Sequence, residues 1–163
     1  MQFLFSALFT NYLFQCFNAP TGDDALMKFW GFHNTQIPQW QRWLLKLAFP
    51  VLRSRLGKVL NITPEGAADG MAKTKKFFEE TDAMLSDGRK YIMGTEEPTY
   101  VDVALASLGA ILLMPDEYGG NTFGSEMRPI DSDFNQTFLK AKKEFAKTPT
   151  GKFILKMFKE HRF

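Results

Sequence analysis

The sequence is poor in the residues that build disulfides and metal sites. Its 163 residues include one cysteine, Cys16, and two histidines, His33 and His161, which lie far apart in the chain. A single cysteine excludes an internal disulfide and a multi-cysteine metal site, and the two histidines lack the spacing of a zinc-binding pair. We therefore expect no metal site and a reducing, cytoplasmic environment.

Charge is missing from long parts of the chain. Residues 1–22 carry no charged side chain, and residues 25–64 contain six Lys or Arg but no acidic residue. The net charge of +2 is too small to indicate nucleic-acid binding. Residues 1–18 are strongly apolar, and the alternatives are a signal peptide, a membrane anchor or a buried helix. The segment has no positive start and is short for a membrane span, which favours the buried helix.

No alternating strand pattern, internal repeat or low-complexity tract occurs, and helical spacing recurs throughout the sequence. The length fits one domain, residues 1–163, and 17 Phe predict a largely aromatic core. Capping residues and prolines place helices from Asp23 to Phe32, from Pro38 across Pro50, from Thr63 to about Ser86, from Asp133 and from Thr148. Pro50 predicts a kink or a split in the second of these helices. Its apolar residues follow the spacing of an amphipathic helix: Trp40, Trp43, Leu44, Leu47, Val51 and Leu52. The same spacing predicts an inward stripe on the third helix, made of Met71, Phe77 or Phe78, Thr81, Met84 and Leu85, and one on the last helix, made of Phe153, Ile154, Met157 and Phe158. The predicted fold class is all-α.

Residues 98–114 predict the helix at the centre of this bundle. Thr99 and Asp102 are three residues apart, which is the spacing of a reciprocal capping box at a helix N-terminus. No charged residue follows from Val103 to Pro115, and large apolar residues are mixed with small residues. A helix that is apolar on most sides is buried, so we expect a central helix over about residues 99–114.

Three segments carry a resemblance to a known family. The first segment is Tyr-Ile-Met-Gly at residues 91–94, followed by the Thr99–Asp102 box. The second is Leu-Leu-Met-Pro-Asp-Glu-Tyr-Gly at residues 112–119. The third is Thr-Pro-Thr-Gly-Lys-Phe at residues 148–153 together with Lys-Glu-His-Arg at residues 159–162. In this order they resemble the C-terminal helical domain of the cytosolic glutathione transferases, in particular a bacterial and algal branch. The resemblance covers most of residues 35–163 and implies a helical bundle around a buried central helix.

Members of this family bind glutathione and lower the pKa of its thiol, because a thiolate is the better nucleophile. The groups that bind glutathione belong to a thioredoxin-like α/β domain that precedes the helical domain. The present sequence shows no βαβ alternation, so we expect this chain alone to be inactive and to hold no cofactor. The resemblance implies glutathione as a co-substrate only where a thioredoxin-like domain is supplied, in the same polypeptide or by another chain.

The resemblance also implies which residues form the wall of the electrophile pocket. They lie on the first helix and in the long loop after the central helix: Phe9, Tyr12, Cys16, Tyr118 and Phe123. The alternative for each of them is ordinary packing. Cys16 lies among apolar residues without a nearby base, so a small core residue is favoured over a nucleophile. Thr99 and Asp102 are predicted to cap the helix and not to act as catalytic groups.

Two functions follow as expectations. The first is a glutathione transferase-like protein whose helical domain supplies the apolar wall of the electrophile site. The second is a non-catalytic protein–protein interaction or scaffold module of the same fold, with its apolar first helix as the docking surface. The partners implied are a thioredoxin-like domain, another protein or a second copy of this chain.

Overall fold

A computed structural model describes residues 14, 18, 22–29, 32, 37–60, 62–118, 131 and 134–161. These residues contain six helices and no strand, which agrees with the all-α prediction. The helices are α1 (Gly22–Phe29), α2 (Gln39–Val59), α3 (Pro64–Leu85), α4 (Tyr100–Leu113), α5 (Gln136–Lys147) and α6 (Pro149–His161).

Helices α4 and α6 form the centre of the bundle. Helix α6 contacts α3, α4 and α5, and α4 also contacts α5. Eight of the fourteen α4 residues are buried, including an unbroken run from Gly109 to Leu113. The predicted central helix is therefore present, and it ends where Met114 adopts a left-handed conformation with φ of 45°. Its outer face is open, since Tyr100, Val103 and Ser107 are exposed.

Close contact between α4 and α6 depends on a residue without a side chain. A Cβ atom added to Gly109 would overlap the side chain of Ile154, which is fully buried on α6. The predicted inward residues of α6 are all buried: Phe153, Ile154, Met157 and Phe158. Helix α6 begins as the sequence predicts, with Pro149 as its first residue and the Thr148 hydroxyl accepting from the Gly151 N–H at 3.0 Å.

Helix α3 also starts at its predicted cap, with Thr63 Oγ1 accepting from the Gly66 N–H at 3.0 Å. Phe78 and Thr81 are buried as expected, whereas Met84, predicted to point inward, is half exposed. Small and polar residues complete the buried face, because Ala67, Gly70 and Thr74 are buried too. The buried Thr74 hydroxyl donates to the Gly70 carbonyl at 2.8 Å, which satisfies its polar group inside the helix.

Two boundaries differ from the predictions, and Pro50 does not split its helix. Helix α1 ends at Phe29 and not at Phe32, although Leu26 is buried as its spacing indicates. Helix α5 begins after Asn135, whose side chain accepts from the Phe138 N–H at 2.9 Å, and not at Asp133. Helix α2 runs through Pro50 without a break. Pro50 is exposed, so water can bind the carbonyl that proline leaves without a donor.

The main correction concerns α2. Its apolar residues at helical spacing were expected to face the core, but Trp40, Trp43, Leu44, Leu47, Val51 and Leu52 are all exposed. The buried residue of this helix is Phe49, whose ring meets that of Phe32 edge-on at 6.0 Å between centroids. Helix α2 is apolar on both sides, so periodicity does not distinguish the side that packs from the side that faces water.

Candidate functional site: a groove between α4 and α6

The N-terminus of α4 is held by a buried carboxylate. Asp102 is fully buried, and its Oδ2 accepts from the Thr99 N–H at 2.7 Å and from the Thr99 hydroxyl at 2.6 Å. The two residues are in the arrangement of a capping box. The second oxygen, Oδ1, accepts from the Ile92 N–H at 2.8 Å, ten residues away. One side chain therefore caps the helix and also ties it to the preceding turn.

The hydrogen bonds at Asp102 decide its protonation state. Burial by itself would raise the pKa of this carboxyl group, because it disfavours the charged form. The Thr99 hydroxyl and the N–H groups of Thr99 and Ile92 outweigh burial, and the pKa lies below its ordinary value. Asp102 is thus an ionised group that accepts hydrogen bonds from Thr99 and Ile92. This agrees with its predicted role as a helix cap.

A groove opens between α4 and α6, one to two turns after this cap. Its lining residues are Val103, Ala106 and Ser107 from α4 and Met157, Phe158 and His161 from α6, and its volume is about 170 Å³. The floor is apolar, since Ala106, Met157 and Phe158 are buried. The Ser107 hydroxyl and the His161 ring supply polar groups at the rim. The groove can therefore hold a small apolar group that carries a polar substituent.

His161 is positioned by the turn that precedes α4. Its Nε2 lies 3.1 Å from the hydroxyl of Tyr91, a buried residue, and the two ring centroids are 6.0 Å apart. Tyr91 is followed by Ile92, which is bonded to Asp102, and the Gly94 N–H closes this turn on the Tyr91 carbonyl at 2.8 Å. The turn, the cap and the last residue of α6 thus form one connected structure beside the groove.

Of the predicted site residues, the structure describes Tyr118, which is not one of the residues that line the groove. Its ring centroid is 6.2 Å from that of Phe158, a lining residue. Tyr118 is half-buried and its N–H bonds to the Pro115 carbonyl at 3.0 Å, so the start of the long loop is ordered here. Phe9, Tyr12, Cys16 and Phe123 lie outside the described residues, and their predicted role stays a prediction.

Sequence reasoning missed Val103, Ser107 and His161 as groove residues. Val103 and Ser107 are four residues apart and share a helix face, but in an uncharged helix this spacing looks like core packing. His161 was considered as a zinc ligand and as part of the third segment that carries the family resemblance, but not as a groove residue. In the part of the chain that the structure covers, His, Cys, Asp and Glu side chains form no group of three that could hold a metal ion. Nor does any helix there have the length and apolar character needed to cross a bilayer.

Comparisons of the chain with protein-family models, with curated protein sequences and with solved structures gave no match. The family resemblance therefore rests on the three sequence segments alone.

Proposed function

We propose that this chain is the helical domain of a glutathione transferase-like protein, and that it supplies the apolar wall of the electrophile site. The observation that carries the proposal is the Thr99–Asp102 box at the start of a buried helix, joined through Ile92 to the preceding turn. In the proposed family this motif organises the helical domain. Here the same motif holds the start of α4, which forms one side of the groove between α4 and α6.

The groove suits the second substrate of such a reaction better than it suits glutathione. Its floor is apolar, and none of its lining residues is a lysine or an arginine that could pair with the carboxylates of glutathione. An aromatic electrophile needs an apolar wall and one or two orienting polar groups. Tyr118 packs at a tilt against Phe158, one of the residues that form this wall.

Activation of the glutathione thiol needs a positioned hydroxyl or N–H donor that stabilises the thiolate. In this proposal a thioredoxin-like domain provides that donor, either in the same polypeptide or as a separate chain. Val103 lines the groove, and Val103 and Tyr100 on α4 are both exposed, so both are accessible to such a domain. Residues 1–163 alone are then expected to bind an electrophile weakly and to leave glutathione unreacted.

The first experiment measures chemistry in the isolated chain. We expect no conjugation of 1-chloro-2,4-dinitrobenzene with glutathione above the uncatalysed rate in buffer, and no saturable binding of glutathione by calorimetry. Turnover that is lost when Cys16 or Tyr12 is replaced would show that the chain carries its own thiol-activating group and would contradict the proposal.

The second experiment locates the electrophile. NMR shifts induced by 1-chloro-2,4-dinitrobenzene should appear at Val103, Ser107 and His161, and Val103→Trp should abolish them by filling the groove. Val59→Trp is the matched control, since Val59 is an exposed valine on α2. Shifts that persist in Val103→Trp, or an absence of shifts in the wild type, would contradict the proposed electrophile site in this groove. Either result would favour the non-catalytic interaction module.

A further inference from the structure

We propose that the outer face of α2 is a binding surface for anionic lipid membranes. The surface, called the α2 stripe below, consists of Trp40, Trp43, Leu44, Leu47 and Val51. These five side chains are between 54% and 65% exposed. The inference is independent of the proposed glutathione chemistry.

The spacing of the α2 stripe makes it one continuous face. Its members are at positions i, i+3, i+4, i+7 and i+11, which lie along one side of an α-helix. Phe49, buried in the core, lies about 180° around the helix from Trp40. The stripe therefore points directly away from the packed side of α2, so it can contact a partner without any rearrangement of the helices.

The charges around the α2 stripe select the partner. Helix α2 contains Arg42, Lys46, Arg53, Arg55 and Lys58 and no acidic residue. Arg53 pairs with Asp23 of α1 at 2.7 Å, whereas Lys46, Arg55 and Lys58 are exposed and form no ion pair with the rest of the described chain. Arg55 and Lys46 lie on opposite sides of the stripe, whereas Arg42 and Arg53 lie nearer to the packed side of α2. An apolar helix face with basic residues on its flanks is typical of helices that lie in the surface of an anionic bilayer. A second copy of the same face would bring these cations together.

The N-terminal end of the stripe adds a place for a lipid headgroup. An open depression of about 580 Å³ lies there, separate from the groove between α4 and α6, and its lining residues are Phe32, Gln39, Trp40, Arg42, Trp43 and Lys46. Arg42 and Lys46 supply hydrogen-bond donors and positive charge for a phosphate group. Trp40 and Trp43 supply the amphipathic rings that concentrate at the level of lipid headgroups. Leu44, Leu47 and Val51 would then enter the acyl-chain region below.

The test uses the full chain and two kinds of vesicle, phosphatidylcholine alone and phosphatidylcholine mixed with phosphatidylserine. We expect the protein to float with the mixed vesicles and to bind the neutral ones at least about fivefold more weakly, since each cation near an anionic surface contributes about that factor. In a Trp30→Phe background, the emission of Trp40 and Trp43 should shift to the blue with mixed vesicles only.

Two matched pairs of variants distinguish binding through the α2 stripe from a non-specific electrostatic attraction of the whole protein to anionic vesicles. Leu47→Glu should weaken binding about tenfold or more, because a leucine is no longer buried in lipid. Met93→Glu, at an exposed methionine outside α2, makes the same charge change and should have a small effect. Lys46→Gln should weaken binding about fivefold, and Lys140→Gln on α5 should not. Circular dichroism checks that each variant is folded, which is expected because all four positions are exposed.

The proposal is overturned if the protein fails to float with mixed vesicles, if it binds both vesicles equally, or if Leu47→Glu and Met93→Glu weaken binding to the same extent. It is also overturned if the wild type is a dimer that Leu47→Glu dissociates, since a second copy would then cover the stripe. Tight binding of an acidic protein segment at the stripe, with no lipid binding, would likewise replace the membrane by a protein partner.

Discussion

Asp82 on α3 accepts two hydrogen bonds from Thr150 at the start of α6, one from its N–H at 2.7 Å and one from its hydroxyl at 2.6 Å. The residues are separated by 68 positions in sequence, and Thr150 is fully buried. The Thr150 hydroxyl also lies 3.3 Å from the Phe78 carbonyl. A carboxylate from one helix therefore completes the N-terminus of another, where the helix dipole favours negative charge.

Replacing Asp82 by alanine should destabilise the protein by about 1–3 kcal/mol, because the buried donors of Thr150 lose their partner. Urea unfolding followed by circular dichroism measures this difference. Asp69→Ala is the control, since Asp69 lies on the same helix but pairs with Lys73 in an exposed i,i+4 pair. That change should stay within about 0.5 kcal/mol. Equal losses in both variants would mean that the bonds to Thr150 contribute nothing specific.

Acid should weaken the fold through Asp102. Folding lowers the pKa of this group below its unfolded value of about 3.9. Its stabilisation is therefore complete above that pH and is lost as the pH falls through the folded-state pKa. We expect Asp102→Asn to cost about 2 kcal/mol at pH 7 and the difference from wild type to shrink towards pH 3.

Asp87→Asn is the comparison for the acid experiment. Arg89 lowers the pKa of Asp87 to about 2, chiefly through side-chain hydrogen bonds, but this pair is exposed to solvent. Its effect on unfolding should be much smaller than that of Asp102, because solvent screens exposed pairs. A difference between wild type and Asp102→Asn that does not change with pH would show that the charge of Asp102 is not linked to stability.

Gly151→Ala should be among the more damaging single substitutions in α6. A Cβ atom at this position would overlap the backbone carbonyl of Phe145, which cannot move without displacing α5. We expect a loss of about 3 kcal/mol. Gly109→Ala meets the side chain of Ile154 and no backbone atom among its three nearest neighbours, and a side chain yields more easily than backbone, so this change should cost about 1 kcal/mol. Thermal unfolding of the two variants side by side tests the order, and the reverse order would contradict it.

Removing the Tyr91 hydroxyl should loosen the end of α6. Tyr91→Phe deletes the group that lies 3.1 Å from His161 Nε2 and should cost about 1 kcal/mol. Amide exchange at the last turn of α6 should become faster. Tyr100→Phe is the matched control, because Tyr100 is 78% exposed and should be neutral. Unchanged exchange in Tyr91→Phe would show that His161 is not held by this contact.

Local signals predicted the helix starts well where a side chain caps its own helix. Thr63, Thr99 and Thr148 lie where the sequence places them, because a cap and its backbone donor are three residues apart. The buried residues of α6 were also predicted, since its apolar residues form one narrow face. The sequence could not indicate that Asp102 also bonds Ile92 or that Asp82 bonds Thr150, because these partners meet only in the fold.

By itself, the sequence determined the helical class, the central position of α4 and the cap that starts it. These features depend on interactions within a few residues, or on a run so apolar that burial is its stable state. Only the tertiary structure decided which side of α2 faces water and that a groove forms between α4 and α6. Helix α2 is apolar on both sides, and the groove is made by side chains from two helices, so both depend on contacts between distant segments.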